Sequence, residues 1–491
     1  MRFLSILPLL ASAIALSSPA DAEQWRRAES PHFVVYSTLS EDTLRERLEE
    51  LERIDSAIRV VRAQPDTAVG DGNRVTIFML DSEQVVRRLA GVGNAGGFYT
   101  YREMGPLAVV PDIEGQRAEW RMNVLVHEYS HHLLLQDMDG PMPAWLVEGW
   151  AEFFSTARSD KDGAVRIGDV PVRAARVLQR EGIMPVDRLF DLQNRQWGSD
   201  GQRFYATGWL LTHYVAFEPT RRQHFARYLD LMAEGLPSGE AARTAFGDLA
   251  RLDEELASYR RSRLGYLELG PERVATPSVT VAALSESDGA AIPHYLALWL
   301  DQDEEDLLPR LRAMETENGG SGLFMTVLAM AELARGNPQA ADEAAARAME
   351  LRPGKAEPML LRVRALLERA YEEEDESLYA EASRMAAAAN RLDPEDPEAL
   401  KLYYRVSKER HGRATDMAVD GLVAAIAKAP QDFNMRMTAA QALGRQGRVA
   451  EVRRLMVPVV NDPHHPERAA QAREMLAEIE ERAAATVDGA S

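Results

Sequence analysis

Short turns carrying proline recur through the C-terminal half of this chain: Leu351-Arg352-Pro353, Leu392-Asp393-Pro394, Ala429-Pro430 and Asp462-Pro463. Successive prolines lie 41, 36 and 33 residues apart. That interval accommodates a pair of helices, and a pair with one apolar face cannot bury that face alone, so neighbours stack. Small residues fill the expected close-packing positions: Ala329, Ala331, Ala334, Ala341, Ala344, Ala345 and Ala348. Gly336-Asn337-Pro338 and Gly447 mark turns inside pairs, and 371–376 reads as an insertion. The pattern predicts all-α helical repeats over 293–485. A generic helical bundle is the competing arrangement.

The first half has a different rhythm. Residues 31–36 and 74–80 are short β-branched and aromatic runs, as strands require. Phe98 to Tyr101 and Leu107 to Val110 form a further pair behind Gly96 and Gly97. Between the first two strands, Leu44, Leu48, Leu51, Ile54, Ile58 and Val61 repeat at helical spacing. Residues 118–136, 143–157, 203–217 and 221–234 carry the same helical period. Strands first and helices afterwards predict an α+β domain over 23–270. The proline- and serine-containing stretch 271–292 reads as a linker.

The N-terminus has the form of a secretion signal over 1–22. Arg2 precedes an apolar run from Phe3 to Leu16, and Ala20-Asp21-Ala22 fits a small-x-small cleavage site. The run is short of the ~20 residues that a membrane anchor, the alternative, would need. An exported chain, periplasmic or secreted, is therefore expected, with no membrane span after cleavage. The formal net charge of −20 argues against nucleic acid or an anionic membrane as the main partner. With no cysteine in the chain, any metal site must use His, Asp or Glu.

One stretch carries such chemistry. His127-Glu128-Tyr129-Ser130-His131 lies between the apolar runs 124–126 and 133–135. Residues four apart share a helix face, so His127 and His131 can offer both imidazoles to one metal ion, with Glu128 placed to act as general base. The motif alone is suggestive. It gains weight from residues 143–154, Pro-Ala-Trp-Leu-Val-Glu-Gly-Trp-Ala-Glu-Phe-Phe. A carboxylate inside so apolar a helix is costly unless paired or bound to metal. Glu148 follows His131 by 17 residues, enough for the loop around Asp137–Pro141 and a returning helix. It would be the third ligand, leaving a fourth position open as in catalytic zinc sites. Glu152, one turn on, has two readings: a carboxylate orienting a metal-bound histidine, or a half-exposed helix residue.

These residues resemble the gluzincin zinc peptidases, especially the peptidase MA-like proteins related to the aminopeptidases. The resemblance spans roughly 25–270 and implies a zincin-like fold and one Zn2+ per chain. It implies His127, His131 and Glu148 as ligands, Glu128 as general base, and a peptide or protein substrate. Phe204-Tyr205-Ala206-Thr207-Gly208-Trp209 is similar to the family's helix bearing an oxyanion-stabilising tyrosine, which makes Tyr205 the candidate. Gly96, Gly97, Phe98 and Tyr99 are placed like the edge strand that pairs with bound peptide. They lack the carboxylate with which the aminopeptidases hold a free amino end. The C-terminal pattern resembles tetratricopeptide repeats, which implies a protein partner or substrate held there.

Two functional classes follow. One is an exported zinc peptidase whose repeats recruit substrate; the other is a repeat-based binding protein with an inactive or structural zinc domain. Hydrolysis of a non-peptide substrate is a third possibility, because the site defines an activated water and not what it attacks. Among the remaining histidines, His132 reads as structural or supporting, His213 as a satisfied packing residue, and His464 and His465 as exposed turn residues.

Overall fold

The computed structural model describes residues 24–66, 69–91, 96–102, 104–112, 115–136, 142–191, 200–302, 305–460 and 466–488. The expected signal 1–22, residues 137–141, Asp462-Pro463 and His464 and His465 lie outside these residues.

Five of the strands come early: β1 (Arg26–Glu29), β2 (Phe33–Ser37), β3 (Val75–Leu80), β4 (Phe98–Arg102) and β5 (Gly105–Pro111). Between them lie α1 (Glu41–Arg62) and α2 (Glu83–Ala90). Helix α1 starts where Ser40 accepts a hydrogen bond from the Thr43 N–H, and ends at Ala63 in the left-handed region. Helices α3 (Ala118–Gln136) and α4 (Ala144–Ser155) follow. A small antiparallel sheet, β6 (Arg158–Ser159), β7 (Val165–Ile167) and β8 (Leu267–Leu269), packs against α1. Between β7 and β8 the described residues form six helices: α5 (Val172–Glu181), α6 (Val186–Asp191), α7 (Gly201–Phe217), α8 (Pro219–Ala233), α9 (Ser238–Phe246) and α10 (Leu249–Tyr259).

The main sheet has the order β4-β5-β3-β2-β1-β9, where β9 is Thr280–Ala283. The β2–β3 and β3–β5 pairs are parallel and the others antiparallel. The strand expected at 98–101 is β4, and it lies at one edge of the sheet. The stretch 271–292 departs from the expected linker. Thr280 to Ala283 pairs with β1, and Leu284 N–H donates to Trp25 C=O. Its short alternating apolar residues, ambiguous in isolation, are satisfied as a sheet edge.

Alternation along the strands divides their side chains between two cores. Phe33, Val35, Ile77, Met79, Ala108 and Val110 face α1 and α3. Val34, Tyr36, Phe78, Leu107 and Val109 face the opposite way, onto α11 (Glu286–Trp299), α12 (Leu307–Asn318) and α13 (Gly322–Ala334). The sheet is therefore covered on both faces.

From α13 the chain is a run of helical hairpins. Helix α13 pairs with α14 (Pro338–Leu351), α15 (Ala356–Glu372) with α16 (Glu376–Leu392), α17 (Pro397–His411) with α18 (Asp416–Lys428), and α19 (Phe433–Arg445) with α20 (Val449–Val460); α21 (Pro466–Asp488) ends the run. Each packs on the next in sequence. Ala329, Ala331, Ala341, Ala344, Ala345 and Ala348 are buried at helix crossings, whereas Ala334 is exposed. Residues 371–376 are not an insertion: α15 and α16 have 17 residues each, so the extra length is helix around a tight turn at Glu374. The stack touches the sheet domain again at the turn Asp71–Asn73. There Asp71 N–H donates to Asp393 Oδ2 at 2.7 Å, and Asn73 Nδ2 donates to the Glu395 and Lys428 carbonyls. No helix among the described residues is long and apolar enough to cross a membrane.

Candidate metal centre

Helices α3 and α4 pack face to face and bring the two motifs together. Nε2 of His127 lies 3.6 Å from Glu148 Oε2, and Nε2 of His131 lies 3.7 Å from the same oxygen. All three donor atoms fall within 4.8 Å of one another. Ligands on a tetrahedral zinc, with bonds of roughly 2.0–2.1 Å, stand about 3.3 Å apart. The donor set therefore fits zinc with small inward movements. Oε1 of Glu152 sits 3.7 Å from Nδ1 of His127, on the ring's outer nitrogen. Burial lowers the His127 pKa, but the close Glu148 carboxylate and the charges of Glu152 and Glu128 outweigh it, and the value stands at about 9. The local field favours a cation at this spot.

Glu148 reaches this position because α4 and α7 approach very closely. A Cβ on Gly149 would lie 2.5 Å from the Gly208 carbonyl oxygen and 2.4 Å from Thr212 Oγ1; one on Gly208 would meet the Trp145 carbonyl at 2.9 Å. Both positions must be glycine for the backbones to touch. The same contact carries Tyr205, three residues before Gly208, into the cleft, with its ring centroid 6.5 Å from that of His127.

Glu128 is held from the edge strand: its Oε2 accepts the Tyr99 backbone N–H at 3.2 Å. The Tyr99 hydroxyl shares a hydrogen bond of 2.8 Å with His132 Nδ1. Burial pushes the Tyr99 hydroxyl well above its ordinary pKa. Burial, with the positive charges of Arg59 and His32, takes His132 down to about 3, so this imidazole is neutral. His132 thus has the supporting place expected for it. Of the four proposed strand residues, Gly96 and Gly97 line the cleft and Tyr99 turns its backbone to Glu128. Phe98 does not join them: its side chain packs into the core on the sheet's other face.

Behind α3 lies a buried polar network that sequence reading missed. Tyr129 donates to Asp55 Oδ1 at 2.5 Å, Arg59 Nε donates to Asp55 at 2.9 Å, and His32 Nδ1 meets Glu52 at 2.9 Å. Arg62 donates to the Leu133 carbonyl at 2.7 Å. The signal was available: Glu52, Asp55, Ser56 and Arg59 recur at helical spacing on the same side of α1 as its leucines. His32, Asp55 and Asp66 also cluster within 4.8 Å. The guanidinium of Arg59 already occupies Asp55 and opposes a second cation there. His213 is a packing residue, bonded to the Tyr259 hydroxyl and the Gly265 carbonyl.

The centre opens into a cleft of about 840 Å³ lined by α3, α5, the start of α7 and Gly96-Gly97, with His127, Glu128, Glu152 and Tyr205 on its wall. Two residues not singled out in the sequence also line it, Trp120 and Val172. No family model, curated protein or solved structure matches this chain.

Proposed function

We propose that this protein is a zinc-dependent peptidase of the gluzincin type, working on peptide or protein substrates outside the cytoplasm. The observation that carries the reading is the convergence of His127 Nε2, His131 Nε2 and Glu148 Oε2 at near-tetrahedral spacing, with Glu128 in the same cleft. Zinc held there supplies Lewis acidity toward a carbonyl and lowers the pKa of water. The chain's own residues do the rest. Glu128 accepts the proton of the attacking water and returns it to the leaving amine. Its carboxylate is kept aimed by the Tyr99 N–H. Glu152 orients His127 through Nδ1, and the Tyr205 hydroxyl donates to the oxygen on which negative charge develops. The helical stack, read as tetratricopeptide-like repeats, presents substrate or a partner protein to the cleft.

The test is metal content of the purified chain beside His131→Ala and Glu148→Ala. Near one zinc per chain, lost in both variants, supports the ligand set and justifies a peptide screen. No zinc after reconstitution overturns the enzyme reading and favours a binding protein built on the helical stack.

A further inference from the structure

The cleft extends well beyond the candidate ligands, along the N-terminal half of α3. Trp120, Val124, His127 and His131 lie at positions i, i+4, i+7 and i+11, hence on one helix face. Seven residues at 1.5 Å each place Trp120 about 10 Å from His127 along the helix. An extended peptide rises about 3.4 Å per residue, so Trp120 stands about three residues from the reacting centre.

Trp120 is 46% exposed and Val172, which lines the same cleft from the start of α5, is 66% exposed. Large apolar side chains left open on two elements that line one cleft mark a binding surface. Trp120 is nevertheless held in place. A Cβ on Gly96 would lie 2.9 Å from Trp120 Cη2 and 3.2 Å from Val124 Cγ2. The indole therefore rests against the bare backbone of Gly96, with the rest of the side chain open to solvent. The cleft's ionisable lining here is Glu119 on the α3 side and Arg173 beside Val172, both exposed. Being exposed, neither supplies a buried partner for a charged side chain.

We infer that Trp120 and Val172 form a subsite for a large apolar side chain about three residues from the scissile bond, with Gly96 as the seat that fixes the indole. The inference rests on the peptidase reading and names its substrate class: an extended polypeptide, cut internally or several residues from an end, selected for Leu, Phe or a similar residue at that position. Trp120 is here a specificity-determining residue, and Gly96 acts through it.

The experiment uses the zinc-loaded full chain and peptide sets with Leu, Phe, Ala or Asp at each of the four positions on either side of the cleaved bond. The wild type should prefer Leu or Phe over Ala by about tenfold in kcat/KM at one position about three residues away, the scale a single apolar contact supports. Trp120→Ala should abolish that ratio while zinc content stays the same. Gly96→Ala should reduce the ratio in the wild-type background and leave it unchanged in the Trp120→Ala background, because its effect passes through the indole. Peptide affinities of the Glu128→Gln variant should show the same preference. Hydrolysis with a preference that survives Trp120→Ala overturns the subsite and leaves the peptidase reading standing. A zinc-loaded wild type that neither cleaves nor binds any of these peptides overturns both.

Discussion

The two faces of the six-stranded sheet are built from the same strands and do opposite work. The face toward α1 and α3 carries buried charge: Asp55, Glu52, Arg59 and His32 are enclosed there and tied to Tyr129 on the helix that bears the candidate ligands. The face toward α11 is an aromatic joint. Tyr36 stacks on Phe78 at 5.3 Å, and Trp299 meets Phe78 at 6.2 Å and Tyr295 at 5.2 Å. Directional hydrogen bonds fix where a helix sits and how it is turned, whereas apolar burial supplies adhesion with little direction. The difference teaches that one face positions the helix of the candidate ligands and the other welds the helical stack to the domain. The stack is thus no loosely tethered module.

The largest effect should come at the site itself. Glu128→Gln should cut peptide hydrolysis by about 10²-fold to 10⁴-fold with zinc retained; single-turnover assays beside metal analysis measure this, and undiminished turnover would remove Glu128 from the mechanism. Next, Asp55→Ala on one face and Trp299→Ala on the other should each destabilise the protein by about 3–5 kcal/mol, by leaving a charge unpaired and by opening a cavity respectively. They should part company in zinc retention. Asp55→Ala frees α3 and weakens it, while Trp299→Ala leaves it at the wild-type level in denaturation and chelator-competition experiments. Equal zinc loss in both would break the comparison.

A smaller effect belongs to the cleft between the second face and the stack. Asp396 is buried there, and desolvation pushes its pKa up to about 7. A carboxyl raised in the folded state contributes stability that is present below its unfolded pKa, near 3.9, and is lost as pH rises through 7. Asp396→Asn keeps the hydrogen bond to the Glu398 N–H that caps α17 and removes the titration. Its melting temperature should therefore exceed that of the wild type by more at pH 8 than at pH 5, the pH-dependent part of the stability being at most about 3 kcal/mol over that interval. A pH-independent difference would place the buried charge elsewhere. The smallest effect is expected from Arg102→Ala, which removes the exposed 3.0 Å pair with Asp301 between sheet and stack. Less than about 1 kcal/mol should be lost in chemical denaturation; a larger loss would make polar contacts, and not the aromatic joint, the weld.

Much of this was legible in particular residues. His127, Glu128 and His131 stand on one helix and Glu148 on the next, because helical spacing is local information. The strands at 33–37 and 75–80 and the helices at 118–136 and 201–217 follow the apolar period in the same way. Strand β9 was not legible: Thr280 to Ala283 has no strong pattern of its own and becomes a strand only because β1 offers an unpaired edge. Nor was the length of α15 and α16, since a proline interval records where a turn falls and not how the residues between turns divide.

The sequence by itself determined the donor types, their spacing along α3 and α4, and the division of the chain into a strand-bearing part and a helical part. These follow from periodicity and from the absence of cysteine. Only the tertiary structure decided that Gly149 and Gly208 let α4 and α7 touch, that the Tyr99 backbone holds Glu128, and that Trp120 rests on Gly96. Each is a contact between residues far apart in the chain, and the packing that makes it is a property of the whole core, which no local pattern encodes.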